Sequence, residues 1–415
     1  MGARLRRSAP SLVIAGAAVA VMSWLGLYGF YWTDYDNEAA PAFAALVHGH
    51  LARFVELLPA YGGSLELRAP FALLTGFLGG GEVAVYRVVA LPCLLAGAAL
   101  GVWLVARMRA GGHTRLARGV ALGLCVANPL TLRALEIGHP EELLGAVLCV
   151  AAVFLAAKDR PLWAGLLLGL AVANKQWALL AAGPVLLALP RGQWRTMLVA
   201  GAVAAAFLLP ILSVQAGAGA SGHLAVAETG AIFNPEQVFW FAGTPGHLVA
   251  NAPITHRPGF RNPPSWLNGL AHPLIVALGL PLTLLALRRR RPGRRETDAL
   301  LLLALLFLLR CALDPWDAVY YPLPFVLALL GWEATARSSP PVFSLAASAA
   351  VWAVFEWLPG RAGANLISVT SMALALAAGI GLAGALYGRR GSRAGTVRNA
   401  GPSARRSPGS PAIPA

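Results

Sequence analysis

Apolar runs separated by short polar turns dominate this chain. A helix that crosses a bilayer needs about 20 apolar residues, and several of the runs are shorter, notably the two that flank Lys175. Hydropathy and helix breakers together predict an all-α fold, a polytopic membrane bundle of about 12 transmembrane helices. The predicted spans are 11–31, 83–106, 117–134, 142–157, 161–174, 176–190, 196–214, 269–287, 299–313, 320–335, 342–357 and 365–387.

The polar segments divide the chain into one membrane domain, 1–387, and a tail, 388–415. Two long loops interrupt the domain, 32–82 and 215–268, and both are predicted to lie outside the cytoplasm. The tail is rich in Arg, Ser, Gly and Pro and has no apolar period, so we expect it to be disordered. No internal repeat is visible, which argues against the transporter folds that are built from repeats.

Helical spacing of apolar residues also appears inside the first long loop, between Ala39 and Leu58. Phe43, Leu46 and Phe54 are among the residues that share one broad face. This pattern predicts an amphipathic helix that lies on the membrane surface. A connector packed against protein is the alternative.

Composition and charge placement support a membrane protein over a nucleic-acid binder. The chain is 57% hydrophobic and 12% charged, whereas a soluble domain carries about 25% charged residues. With the N-terminus inside, the inner loops hold 24 Lys+Arg and 4 Asp+Glu, and the outer side holds 9 and 14. This skew predicts that both termini lie in the cytoplasm and that the protein resides in the plasma membrane. The net charge of +15 therefore indicates topology and contact with membrane lipids, and we expect no nucleic-acid partner.

The four cysteines lie far apart in or beside apolar runs. Their spacing does not fit a metal site, so buried free thiols are expected.

An acidic cluster follows the first apolar run directly. The cluster consists of Asp34, Asp36 and Glu38, and it lies where the chain is predicted to leave the membrane on its outer face. Charge so close to hydrocarbon is costly and indicates a functional site.

Two further polar clusters lie between later spans. His139 with Glu141 is typical of a metal site or a proton relay, although a turn in which Pro140 starts the next helix also explains the sequence. Lys175 and Gln176 separate two short apolar segments, where a lysine can bind a phosphate. Snorkelling of the lysine to the outer surface is the alternative.

A fourth cluster runs from Arg310 through Asp314, Trp316 and Asp317 to Tyr320 and Tyr321. Its acids can orient sugar hydroxyls, and its aromatic rings can stack on a sugar. An aromatic belt at the interface is the alternative.

The second long loop adds two arginines on the side that is otherwise poor in them, Arg257 and Arg261. They predict anion binding, with a solvated, turn-rich loop as the alternative. The chain lacks a Gly-rich phosphate loop, a zinc-protease helix and a hydrolase serine elbow, so cytosolic nucleotide chemistry is not expected.

Taken together, these clusters resemble the C-type superfamily of integral membrane glycosyltransferases, and most closely its bacterial polyprenyl-phosphate-mannose-dependent mannosyltransferases. The resemblance covers the layout of residues 11 to 387. Its specific pieces are the acids after the first span, Gly138-His139-Pro140-Glu141, Gly169 through Trp177, and Leu313-Asp314-Pro315-Trp316-Asp317 with Tyr320-Tyr321.

The resemblance implies a hexosyltransferase of the cell envelope. Such enzymes move a sugar, here mannose in preference to other hexoses or a pentose, from a polyprenyl-phosphate carrier to a glycolipid or glycan outside the cytoplasm. In the superfamily an acid of the first outer loop is the catalytic base, a position matched by both Asp34 and Asp36. Some members bind a divalent metal and others do not, so metal use stays open, and no other cofactor is expected.

The resemblance and the charges together assign provisional roles. Lys175, Gln176, Arg257 and Arg261 are expected to bind the donor phosphate. The residues expected to contact the sugar or the acceptor are Glu38, His139, Glu141, Asp314, Trp316, Asp317 and Tyr321. A single base opposite the leaving group predicts inversion at the anomeric carbon. A multi-span transporter or lipid flippase is the rival function, and a non-catalytic membrane scaffold is a third.

Overall fold

The computed structural model describes residues 2–26, 34–59, 62–78, 81–217, 234–245, 261–262, 264–314 and 317–388. Arg257, Trp316 and the tail beyond residue 388 therefore lie outside the described residues, and the predictions made for them are untested.

Within those ranges the regular secondary structure is helical, apart from an antiparallel pairing of Thr244–Pro245 with Arg261–Asn262 and an isolated bridge between Pro359 and Ala362. The helices are α1 Gly2–Leu25, α2 Ala40–Val47, α3 Leu51–Glu56, α4 Gly62–Leu78, α5 Glu82–Ala110, α6 Arg115–Val126, α7 Pro129–Ile137, α8 Glu141–Ala157, α9 Pro161–Asn174, α10 Ala182–Ala188, α11 Gln193–Gly217, α12 Trp266–Arg288, α13 Arg295–Leu313, α14 Leu323–Ala336, α15 Val342–Trp352 and α16 Ala364–Tyr387. Short π- or 3₁₀-helical turns are Tyr35–Ala39, Gln176–Ala181, Trp240–Ala242, Pro292–Arg294 and Ala353–Trp357.

Five described helices are long and apolar enough to cross a membrane: Glu82–Ala110, Arg115–Ile137, Gln193–Val214, Gly269–Arg288 and Ala364–Tyr387. Shorter apolar helices occupy five more of the predicted spans, at Ala9–Leu25, Pro161–Asn174, Gln176–Ala188, Leu323–Ala336 and Val342–Trp357. Helices α8 and α13 cover the remaining two. The all-helical fold and the membrane character are confirmed, whereas the count of about twelve crossings stays a prediction.

Helix α13 lies at the centre of the bundle. Its residues Ala299 to Phe307 are buried on every face, as expected of a helix whose sequence is apolar all round. Helices α8, α10, α12, α14 and α16 pack around it. All four cysteines are buried and free, as predicted from their positions.

The helix predicted between Ala39 and Leu58 is interrupted. Gly49 adopts φ +82, a left-handed conformation that ends α2 and separates it from α3. Phe43 and Phe54 are buried against Leu65 of α4 and Tyr86 of α5, in a core of their own. The apolar face of this segment thus packs on protein, which corrects the prediction of one continuous helix whose apolar face lies on the membrane.

Candidate active site

The turn between α7 and α8 brings the first outer loop and the centre of the bundle together. Gly138 ends α7 with φ +103, and a Cβ atom there would lie 2.6 Å from the backbone nitrogen of Tyr35. Only glycine fits this combination of backbone angle and close approach. The approach sets Asp34 against His139, and the next turn starts α8 with Glu141 and Glu142 in its first turn, where a helix N-terminus favours negative charge. We call the end of the bundle that carries this turn the outer end, following the charge-based prediction.

Glu141 is fully buried and is surrounded by three basic side chains. Its carboxylate lies 3.2 Å from Arg68 Nη2, 3.2 Å from Lys175 Nζ and 2.7 Å from His139 Nδ1. Asn174 Nδ2 also donates to the Glu141 carbonyl at 2.9 Å. Although burial opposes ionisation, the charges of Lys175, Arg68 and His139 hold the pKa of this carboxyl well below its usual range, so Glu141 is a carboxylate.

Glu142 extends the network towards α13. Trp177 Nε1 donates to its Oε1 at 3.2 Å, and Arg310 Nη1 lies 3.4 Å from its Oε2. Lys175 Nζ is 3.8 Å from Oε1. The Arg310 guanidinium is sandwiched between rings, 4.8 Å from that of Trp177 and 4.4 Å from that of Tyr321. We call Arg68, His139, Glu141, Glu142, Lys175 and Arg310 the Glu141 cluster.

His139 connects this cluster to the first outer loop. Its Nδ1 faces Glu141 Oε1 at 2.7 Å, and its Nε2 faces Asp34 Oδ2 at 3.1 Å. Because a carboxylate only accepts hydrogen bonds, both ring nitrogens must carry a proton to satisfy both contacts. Burial and the Lys175 charge oppose this state, but Glu141 and Asp34 outweigh them and raise the pKa of His139 to about 9. The imidazolium therefore persists at neutral pH.

The three acids of the first outer loop occupy different environments. Asp34 contacts His139 while its side chain stays 37% exposed, so the carboxylate is held and still accessible. Asp36 and Glu38 are exposed, and Asp36 makes no ion pair with any residue in the described ranges. Partial burial raises the pKa of Asp36. The sequence analysis kept both Asp34 and Asp36 as candidates for the catalytic base. Of these two, only Asp34 has a described contact with the Glu141 cluster.

The fourth sequence cluster lies beside the first three. Asp314 Oδ2 is 4.0 Å from Arg310 Nε, and the ring of Tyr320 packs 5.1 Å from that of His139. Asp317 is 6% exposed, and its Oδ1 has no hydrogen-bond partner among the described residues. Burial and the nearby Asp314 charge raise the pKa of Asp317 well above its usual range. A protonated Asp317 can both donate and accept, which suits a sugar hydroxyl.

Arg261 lies elsewhere. Its guanidinium stacks 4.6 Å from the ring of Trp240, donates to the Trp240 carbonyl at 3.1 Å and to Asn365 Oδ1 at 3.3 Å. The same guanidinium lies 5.9 Å from the centre of the Phe241 ring. We call Trp240, Phe241, Arg261 and Asn365 the Trp240 site. Among the described residues, Arg261 contacts Trp240, Phe241, Gly243 and Asn365, and none of these belongs to the Glu141 cluster. Gln176 is exposed at the start of its 3₁₀ turn.

Three residues of the cluster were not assigned a role from sequence: Arg68, Glu142 and Arg310. Arg310 carried a usable signal, because a charge inside an otherwise apolar span marks function. Arg68 had none, since its partner Glu141 is distant in the chain. For a metal, the described residues offer no group of three or more His, Cys, Asp or Glu side chains arranged to bind one.

A comparison with models of protein families identifies a family that this chain matches. A family model described as glycosyltransferase family 87 matches residues 64–313, which is more than half of the chain. The matched segment contains His139, Glu141, Lys175 and Arg310, and it ends just before Asp314. A search of curated proteins finds no match.

Proposed function

The chain belongs to glycosyltransferase family 87 and is therefore a sugar-transferring membrane enzyme, and we propose that its donor is a polyprenyl-phosphate sugar, preferentially mannose. The acceptor in this proposal is a glycolipid or glycan outside the cytoplasm, and the anomeric carbon inverts. The observation that supports it best is the contact of the partly exposed Asp34 carboxylate with His139. An acid that is oriented by a buried cation and open to solvent is suited to accept a proton from a bound hydroxyl.

In the proposed reaction Asp34 is the general base. It accepts the proton of the acceptor hydroxyl while that oxygen attacks the anomeric carbon. The bond between the anomeric carbon and the phosphate oxygen breaks on the opposite face, and polyprenyl phosphate leaves with the bonding electrons. Because His139 is already an imidazolium, it cannot take this proton; it orients the carboxylate, as Glu141 orients His139 in turn.

Lys175 is the proposed contact for the departing phosphate. Its side chain is 13% exposed, and its ammonium lies closer to Glu141 than to Glu142. The 3.8 Å contact with Glu142 is longer than a hydrogen bond, so the ammonium can turn towards a phosphate and keep its contact with Glu141. A cation placed where negative charge develops stabilises the transition state.

The remaining polar residues at the outer end are proposed to bind sugar. Asp314 and Asp317 supply polar groups for the sugar hydroxyls, and Tyr321 offers a ring beside Arg310. Glu38 lies on the exposed side of the first outer loop, where it is placed to meet the acceptor. Arg261 contacts Trp240 and Asn365 and Gln176 is exposed, so the proposal assigns the main contact with the donor phosphate to Lys175.

A transfer assay tests the proposal. Purified full-length protein in lipid nanodiscs is incubated with labelled polyprenyl-phosphate mannose and an extract of envelope glycolipids, with a nucleotide sugar as the matched donor control. The expected product carries the label in a new glycosidic bond of inverted configuration, as determined by nuclear magnetic resonance. Transfer from the nucleotide sugar alone, retention of configuration, or the absence of a labelled glycosidic product would contradict it.

A further inference from the structure

A narrow groove runs along the outer half of α1, where this helix packs against α5. Its cavity volume is about 330 Å³. Gly16, Ala20, Ser23 and Trp24 are among the α1 residues that line it, and Arg87 is its one charged lining residue from the described part of α5. A Cβ atom on Gly16 would meet nothing within 4 Å, so the deeper part of the groove is open.

Arg87 is unusual for its position. It is exposed and makes no ion pair or hydrogen bond with any residue that the structure describes. It lies five residues after the start of α5, a depth of about 7.5 Å along the helix axis. Arginine is also uncommon at an outer helix end in a chain that follows the positive-inside pattern.

Gly16, Ala20, Trp24 and Arg87 of the groove are exposed, and one helix face separates the groove from the candidate active site. Tyr86, the residue before Arg87, is buried. Its hydroxyl donates to the Leu135 carbonyl, and its ring lies 4.5 Å from that of Tyr35. Tyr86 and Tyr35 therefore form a wall between Arg87 and the Glu141 cluster. A molecule can enter the groove sideways from the lipid without passing through the candidate active site.

We propose that this groove binds an anionic phospholipid of the surrounding bilayer, with the phosphate on Arg87 and an acyl chain along Gly16 and Ala20 of α1. Guanidinium groups bind phosphate through paired hydrogen bonds, and the Ser23 hydroxyl can add a third. Gly16 and Ala20 leave room for a chain against an apolar floor. Arg87 lies five residues after the start of α5, so in this proposal it meets the phosphate near the outer end of the bundle.

Lipid titration of the purified full-length protein in detergent tests this site. Phosphatidylglycerol is the probe and zwitterionic phosphatidylcholine its matched lipid, with bound copies counted by native mass spectrometry. Wild-type protein is expected to retain phosphatidylglycerol in preference. Arg87→Gln is expected to weaken phosphatidylglycerol binding about fivefold, the effect of one basic residue near a lipid phosphate. Gly16→Leu, which fills the groove, is expected to weaken both lipids.

Arg361→Gln is the matched control, because Arg361 is an exposed arginine that donates to the nearby Trp357 carbonyl. It is expected to bind lipid as wild type does. Equal retention of both lipids, unchanged binding by Arg87→Gln, or the same loss in Arg361→Gln would overturn the proposal. Retention of added polyprenyl phosphate in place of phosphatidylglycerol would also overturn it, because the groove would then hold a carrier lipid. None of these outcomes depends on sugar transfer.

Discussion

Lys175 and Arg261 were both expected to bind phosphate, and the structure sets them in different surroundings. Lys175 lies between two buried carboxylates that begin a central helix. Arg261 lies on the face of Trp240 and donates to a carbonyl and to the Asn365 amide. In the Glu141 cluster, charges from several helices depend on one another, whereas in the Trp240 site one cation fastens a loop to α16.

This difference has an energetic consequence. A buried ion pair that loses one partner leaves an uncompensated charge, which costs several kcal/mol. An arginine on an aromatic ring at a partly exposed site contributes about 0.5–1 kcal/mol. Substitutions in the Glu141 cluster should therefore affect both folding and chemistry, and matched substitutions in the Trp240 site should affect neither strongly.

The largest expected effect is on catalysis by Asp34→Asn. The amide keeps the shape of the side chain but is a far weaker base, so kcat should fall about 10²–10⁴-fold. Transfer by the purified variant, normalised to folded protein, is the measurement. Asp36→Asn is the matched control and should retain most activity, because Asp36 is exposed and lies outside the cluster contacts. A larger loss in Asp36→Asn would assign the base to Asp36.

Glu141→Gln should give the largest loss of stability. It leaves Arg68, Lys175 and protonated His139 buried around a neutral amide, and the free energy of unfolding should fall by about 3–5 kcal/mol. Denaturant unfolding in detergent, followed by tryptophan fluorescence, measures this. Arg261→Gln should lose only about 1 kcal/mol. Equal losses in the two variants would remove the distinction between the two regions.

The next largest expected effect is on donor binding, which should depend on Lys175 and not on Arg261. Lys175→Met should raise the KM for the polyprenyl-phosphate sugar or lower kcat/KM by about 10–100-fold, the range for a lost charged hydrogen bond. Arg261→Met should change kcat/KM less than about threefold, since its guanidinium is engaged by Trp240 and Asn365. If the Arg261 variant were the weaker enzyme, the donor phosphate would belong near the second long loop.

The sequence predicted the helices and the clusters, but not the contacts between them. The lengths of apolar runs located Lys175 at a break between two short helices, which the structure shows. They did not distinguish Asp34 from Asp36, because both follow the same span. That distinction arises from Gly138, whose left-handed turn lies far along the chain from either acid.

Arg68 and Gly49 show two further limits of sequence reasoning. Arg68 is buried because Glu141 is buried beside it, and such a pair is visible only once α4 and α8 are placed in space. Gly49 lies within a good helical pattern, and the single left-handed residue outweighs the periodicity around it.

The smallest expected effect is a pH dependence that only the Glu141 cluster should show. The pKa of His139 is raised from 6.5 to about 9, so its protonated form stabilises the folded protein. That contribution is complete below pH about 6.5 and is lost as pH rises through about 9. The Tm difference between wild type and His139→Asn should therefore shrink between pH 7 and pH 10 in thermal unfolding experiments.

The Tm difference between wild type and Arg261→Gln should stay constant over the same pH range, because arginine remains charged throughout. A His139→Asn difference that does not vary with pH would mean that the imidazole is neutral, and the contact with Asp34 would then not be an ion pair.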